Sequence, residues 1–239
     1  GATSSAGGLV SVQVSGGGGT VKGFSGKSVS GTVDRNAAKL GDLPLSEDVR
    51  ILDTADDGSY AAVDASRLAG RTLTDKMVRH YTLDKNGAID HLILDDATGD
   101  TWTYGYLSAA NDLSQEGGTD INMQYTYIAD GDVKTVSNSA KYAVKTGGLA
   151  IRYNSDGSIR SMKNTTAVKL ASLGALTART DNKTYELADD VQVYLRQSGV
   201  FYQTELSSVN AEEYTLTGYY DNFGCPAGGL IRVIIAEET

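Results

Sequence analysis

The amino-acid sequence predicts an all-β protein: two related β-modules, of barrel or sandwich type, joined by a β-rich middle segment. Three observations carry this expectation. The 239 residues include 28 Gly and 14 Tyr but only 2 Pro, and short β-branched runs alternate with Asp, Asn and Gly. Asn86-Gly87 and Asp156-Gly157 each fall between two such runs, and both pairs accept the positive φ angles of a two-residue hairpin. A segment pattern also recurs about 142 positions apart.

The chain divides into a Gly/Ser-rich lead (1–33), a first β-module (34–100), the middle segment (101–164) and a second β-module (165–239). Four consecutive glycines, Gly16 to Gly19, mark the lead, and residues 9–14 within it read either as part of a lead or as an edge strand. In the first module, Leu45-Ser46-Glu47-Asp48-Val49 runs into a strand at 49–52. Its counterpart, Leu187-Ala188-Asp189-Asp190-Val191, runs into a strand at 191–195. At the same offset Tyr60, after the turn Asp56-Asp57-Gly58, matches Tyr202, after Ser198-Gly199, and Ser66 matches Ser208. The apolar strand 89–94 matches 230–235 at an offset of 141, with an insertion at 223–229 in the second copy. The scheme expected for each copy is strand, tight turn, strand, an irregular link with a short helical turn, then two more strands. In the middle segment, period-2 alternation places Trp102, Tyr104 and Tyr106 on one face of a strand, and Ile121, Met123, Tyr125 and Tyr127 on one face of another.

Composition excludes several function classes. The 30 acidic and 21 basic residues give a net charge of -9, with the basic residues scattered, so no nucleic-acid partner is expected; phosphate neutralisation needs clustered Lys and Arg. No apolar run approaches the roughly 20 residues of a membrane-spanning helix, so no membrane insertion is expected. The opening Gly1-Ala2-Thr3-Ser4-Ser5-Ala6 is no signal peptide, and an export signal removed ahead of it would leave no trace. Cys225 is the single cysteine, which excludes an intramolecular disulfide and a multi-cysteine metal site.

No catalytic residue, metal ligand or cofactor is expected from the motifs. Asp84, Asn86 and Asp90 have part of a calcium-loop spacing but lack its further carboxylates and its bidentate Glu, so the acidic turns read as turns, with weak calcium binding as the lesser reading. His91 lies within a strand, His80 stands in no catalytic motif, and no Gly-x-Ser-x-Gly elbow occurs. Cys225, in Gly224-Cys225-Pro226, has no activating base beside it in sequence. The Gly16 to Gly19 run lacks the Lys-Ser/Thr ending of a phosphate loop. The candidate ligand-binding residues are Trp102, Tyr104 and Tyr106, because a flat aromatic row on a sheet stacks against sugar rings or partner side chains. The same row reads first as the apolar face that a sheet buries, Tyr being the main large apolar residue of a chain with only 3 Phe.

Asp190-Val191-Gln192-Val193-Tyr194, Gly199-Val200-Phe201-Tyr202, Gly218-Tyr219-Tyr220-Asp221 and the run 229–236 resemble the β-modules of large surface proteins of Gram-positive gut bacteria that carry S-layer homology repeats. Segments 102–107 and 124–131 are similar to the linking part of those modules. The resemblance implies export and association with the cell wall or cell surface, and it transfers no functional residue. The expected function is a non-enzymatic structural or adhesive module, with a carbohydrate-binding module or carbohydrate-active protein as the alternative. The partners implied are a cell-wall or host glycan, or another protein.

Overall fold

The computed structural model describes residues 29–222 and 229–239. The candidate strand at 9–14, the glycine run 16–19 and Cys225 lie outside the described residues. Strands dominate, no α-helix occurs among the described residues, and three 3-10 turns (Ala65–Leu68, Asp75–Met77 and Leu206–Ser208) interrupt them. The all-β architecture expected from composition and turn spacing is therefore the observed one. The chain divides into two compact units between Thr101 and Trp102, so the middle segment and the second module belong to one unit.

The first unit contains β1 (Gly31–Thr32), β2 (Lys39–Leu40), β3 (Leu43–Thr54), β4 (Tyr60–Val63), β5 (Thr72–Leu73), β6 (Val78–Leu83) and β7 (Ile89–Asp95). Its main sheet has the order β2-β3-β7-β6, with β4 also on β3, while β1 pairs with β5. β3 and β7 run parallel, although strands β4 to β6 separate them in sequence. Between Leu45 and Arg50 the pairing shifts register, and Glu47 and Asp48 in that bulge stay exposed. Ile51, Ile89, Leu92 and Leu94 are buried. Asp53, also on β3, is fully buried; its carboxylate accepts the N–H groups of Ala97 (2.9 Å) and Thr98 (2.8 Å) and the Thr98 hydroxyl (2.5 Å). These bonds fix the chain as it leaves β7, and they satisfy a charge that would otherwise be costly to bury.

The second unit holds two sheets. The middle segment forms an antiparallel sheet, order β10-β9-β8-β11-β12, from β8 (Thr103–Asp112), β9 (Met123–Ala129), β10 (Asp132–Asn138), β11 (Gly147–Tyr153) and β12 (Ile159–Asn164). Asp130-Gly131, with φ of 51° and 84°, makes the two-residue turn between β9 and β10. Hairpins join β6 to β7 at Asn86-Gly87 and β11 to β12 at Asp156-Gly157, but neither is the two-residue turn expected. Only Gly87 (φ 79°) and Gly157 (φ 87°) have positive φ, and the loops close one residue longer, by Asp84 N–H to the Ala88 carbonyl and Asn154 N–H to the Ser158 carbonyl. Met123, Tyr125 and Tyr127 share the buried face expected of them, whereas Ile121 lies exposed ahead of β9.

The second sheet comprises β13 (Thr166–Leu170), β14 (Ser172–Leu173), β15 (Thr177–Arg179), β16 (Thr184–Gln197), β17 (Val200–Gln203), β18 (Tyr214–Tyr220) and β19 (Ile231–Glu238). Its order is β13-β18-β19-β16-β15-β14, with β17 also on β16. Each sheet has a core of its own. One lies around Leu107, Tyr125, Tyr127 and Ile151, the other around Leu187, Val193, Leu216 and Ile234. A third cluster joins the two sheets through Tyr104, Tyr106, Ile128, Ala150, Tyr194, Val233 and Ile235.

The two modules share one pairing scheme. In the first, Leu45 pairs with Ile89, and after the bulge Arg50 pairs with His91; in the second, Leu187 pairs with Ile231 and Gln192 with Val233. Every position, bulge included, is displaced by 142 residues, so 231–236 is the counterpart of 89–94, one residue beyond the alignment by sequence. Thr54 pairs with Tyr60 where Arg196 pairs with Phe201, so Tyr60 corresponds to Phe201 and not to Tyr202; the second β-turn is one residue shorter. Asp84 and Asp221 open the last connection of each module. Both donate N–H to the closing carbonyl, Ala88 or Leu230, and both carboxylates accept the N–H of that same residue.

Candidate functional site

β8 carries the aromatic row inward, and its members end up in different environments. Tyr104 and Tyr106 are each only 7% exposed, packed in the cluster between the two sheets of their unit. The Tyr106 ring lies 5.1 Å from Phe201 and 5.6 Å from Tyr219, edge-on to the latter. They form a wall rather than a platform, because the second sheet lies over the face that alternation gives them. Trp102, one residue ahead of β8, is half-buried. The Arg152 guanidinium stands 3.9 Å from its ring centroid and the Lys163 ammonium 4.8 Å. Arg152 and Lys163 come from β11 and β12 and share the face of Ala150, which pairs with Lys163.

Trp102, Thr103 and Tyr104 line one side of a cleft of about 210 Å³. Gln192 and Arg232 are its buried polar members, and Asp130 and Asp190 stand exposed at its rim. The Gln192 amide is consumed by the framework. Its Nε2 donates to the Tyr104 carbonyl (2.7 Å), and its Oε1 accepts the Asp130 N–H (2.9 Å) and the Tyr194 hydroxyl (2.5 Å). The Tyr194 hydroxyl in turn accepts the Gly131 N–H at 3.0 Å. Arg232 forms an ion pair with Asp221, Nε to Oδ2 2.6 Å, and its guanidinium lies 4.6 Å from the Tyr104 ring centroid. Asp221 also takes the Tyr104 hydroxyl (3.1 Å) and the N–H groups of Gly229 and Leu230. Four donors thus converge on this buried carboxylate.

The chemistry left at the rim is two carboxylate acceptors beside an indole. The indole ring is already engaged by the Arg152 guanidinium and the Lys163 ammonium, so the rim combines carboxylates with two cations held against an aromatic ring.

The remaining sequence candidates take other places. His91 Nδ1 lies 3.1 Å from the Thr82 hydroxyl and 3.3 Å from Asp90 Oδ1 on the β6–β7 pair. The turn carboxylates are engaged locally: Asp84 accepts the Asn86 and Ala88 N–H groups, Asp57 that of Ser59, and Asp156 the Ser158 N–H and hydroxyl. The Ser158 bonds hold the Asp156 carboxyl below its ordinary range. Among the described residues, no group of three or more His, Cys, Asp or Glu is placed to hold a metal ion, and no helix is long and apolar enough to cross a membrane.

Sequence reading missed Asp53, Gln192, Asp221 and Arg232. Arg232 carried a signal, since a charge inside the apolar run 230–235 demands a buried counter-ion. Gln192 carried a weaker one, between Val191 and Val193. Comparisons with protein-family models, curated proteins and solved structures found no match. By its fold the chain is an all-β protein of two related modules, with a polar cleft in the unit that contains the second.

Proposed function

We propose that this chain is a non-enzymatic structural or adhesive module of a bacterial cell-surface protein. The carrying observation is the shared pairing scheme, bulge and hairpin aspartate included, which supports duplication of one module. Duplicated modules that each enclose a core add length and surface without requiring a reactive centre. In keeping with this, the buried polar groups Asp53, Gln192 and Asp221 make their hydrogen bonds within the framework. The localisation, secreted and at the cell wall or surface, rests on the sequence resemblance.

Carbohydrate binding at the Trp102 cleft is a second reading, favoured by the pairing of an indole with the rim carboxylates Asp130 and Asp190. One experiment separates the two readings. The protein is offered glycoside, peptide and ester substrates, and in parallel cell-wall polysaccharide and host glycans. The structural reading expects no turnover, and it fails if turnover occurs and disappears in Asp130→Asn or Asp190→Asn. Trp102 is the single tryptophan, so a fluorescence change with one glycan, abolished by Asp190→Asn, would promote the second reading.

A further inference from the structure

Tyrosines meet in pairs within the second unit, and one pair differs from the others in exposure. The ring centroids of Tyr106 and Tyr219 are 5.6 Å apart, those of Tyr125 and Tyr142 are 6.0 Å apart, and the hydroxyls of Tyr127 and Tyr153 are separated by 2.6 Å. In each of these pairs one ring is buried, namely Tyr106, Tyr125 and Tyr127. Tyr185 and Tyr220 approach more closely, with ring centroids 4.9 Å apart and planes inclined by 38°, and both are only half-buried. Burial raises the Tyr185 phenol above its ordinary value, followed by the Tyr220 phenol, with which it shares a side-chain hydrogen bond.

Strand geometry brings these two rings together from distant parts of the chain. Tyr185 lies near the start of β16 and Tyr220 ends β18, with β19 between those strands in the sheet. Leu187 and Tyr220 both pair with Ile231, the first residue of β19. Tyr185 stands two residues ahead of Leu187 and so shares its face of β16. The two tyrosines therefore flank the start of β19 on the face that bears the core, and both pack against that core. Each ring is held at its stem by packing and at its hydroxyl by the other ring. That hydrogen bond draws together the hydroxyl ends, and with them the ring carbons ortho to each oxygen.

We propose that Tyr185 and Tyr220 form a site of oxidative cross-linking, at which a haem peroxidase using hydrogen peroxide joins them as dityrosine. Each phenol gives up one electron and one proton and becomes a neutral phenoxyl radical, whose unpaired electron is shared with the carbons ortho to oxygen. The radicals couple through one ortho carbon of each ring, which forms one carbon–carbon bond. The hydrogen on each coupling carbon then moves to the oxygen and restores both phenols. In all, the pair loses two electrons and two protons, and these reduce one hydrogen peroxide to two waters. Because the rings are already 4.9 Å apart, the second radical forms beside the first and coupling needs no encounter between molecules. The exposed part of each ring supplies the access that the other tyrosine pairs lack on one side. The new bond ties β16 to β18 across β19 and closes the loop 185–220, restricting the unfolded chain as a disulfide does.

The test treats the full chain in dilute solution with a haem peroxidase and hydrogen peroxide, under conditions that couple free tyrosine. Dityrosine fluorescence, intact mass and mapping of linked peptides are read for the parent, Tyr185→Phe, Tyr220→Phe and, as a control at a ring that is 51% exposed, Tyr202→Phe. Phenylalanine keeps the ring against the core and removes the hydroxyl that a phenoxyl requires. The expected parent product is a single chain lighter by two hydrogens, with residue 185 linked to residue 220 and a urea midpoint above that of the untreated chain. Dityrosine fluorescence should fall to background in Tyr185→Phe and Tyr220→Phe and persist in Tyr202→Phe. Absence of dityrosine from the oxidised parent overturns the proposal, as does a link that maps to another pair of tyrosines. Dityrosine found only between chains, and lost in Tyr202→Phe, overturns it too and would assign the coupling to exposed rings of separate copies. The mapped link in the parent decides the outcome even where a variant fails to fold.

Discussion

Arg232 and Asp221 are 5% and 1% exposed, and neither charge has water to fall back on. Removing one partner of such a pair leaves the other buried and uncompensated, which typically costs 3–5 kcal/mol or roughly that. Arg232→Met, which keeps the volume and deletes the charge, is expected to lower the stability of the second unit by about 3 kcal/mol in urea unfolding. Tyr104→Phe, which removes one of several donors to Asp221, is expected to cost about 1 kcal/mol. Equal effects of the two would show that the ion pair does not dominate. Tyrosine ionisation gives a second residue-scale expectation. Burial, and then the Tyr127 hydroxyl, raises the Tyr153 phenol above its ordinary value; burial, and then Tyr106, does the same for Tyr219. A phenol whose folded pKa is raised contributes stability that is complete below the ordinary tyrosine pKa of about 10 and is lost as pH climbs beyond it. Unfolding free energy should therefore be flat in these groups at neutral pH and fall steadily above about pH 10. Tyr153→Phe should make that decline shallower.

At the scale of elements, the contact between β11 and the start of β13 depends on a missing side chain. Gly148 pairs with Tyr106 on β8, and a methyl group at 148 would overlap the Thr165 hydroxyl and the Tyr219 ring. Thr165 donates its N–H to the Gly148 carbonyl at 3.1 Å, which holds its backbone close to position 148. Gly148→Ala is expected to destabilise the second unit by about 1–3 kcal/mol, as overpacking does. Gly157→Ala at the tip of the β11–β12 hairpin, where nothing lies within 4 Å, should cost only the strain of its φ of 87°, about 1 kcal/mol. Thermal melts of the two variants decide the order, and a larger loss at 157 would contradict the close approach.

For the whole molecule, two compact units divide at Thr101 and Trp102, and the single tryptophan belongs to the second. Tryptophan fluorescence therefore reports one unit, whereas far-ultraviolet circular dichroism reports the strands of both. Their urea transitions are expected not to overlay, with Arg232→Met shifting the fluorescence transition and Asp53→Ala shifting only the part seen by dichroism alone. Coincident transitions in both variants would show that the chain unfolds as one cooperative body.

Strand-forming composition, period-2 faces and Asx-Gly turns are local properties, and they were legible: the β8, β9 and β11–β12 readings need only neighbours a few residues away. The recurrence of Leu45-Ser46-Glu47-Asp48-Val49 at Leu187 was legible too, although the shorter second turn displaced the match at Tyr60 by one residue, and the match of 89–94 fell one residue short of the constant offset. Sequence left open what Trp102, Tyr104 and Tyr106 face, because alternation defines a shared side without saying what covers it. The second sheet of the unit decided that, burying the two tyrosines and leaving the indole at the mouth of the cleft. Tertiary structure also decided the parallel pairings of β3 with β7 and of β16 with β19, and the meeting of Tyr104 with Asp221 and Arg232. Those contacts join residues tens of positions or more apart in the chain. They exist only once burial makes a charge seek its partner and a sheet edge its neighbour, a choice no local pattern encodes.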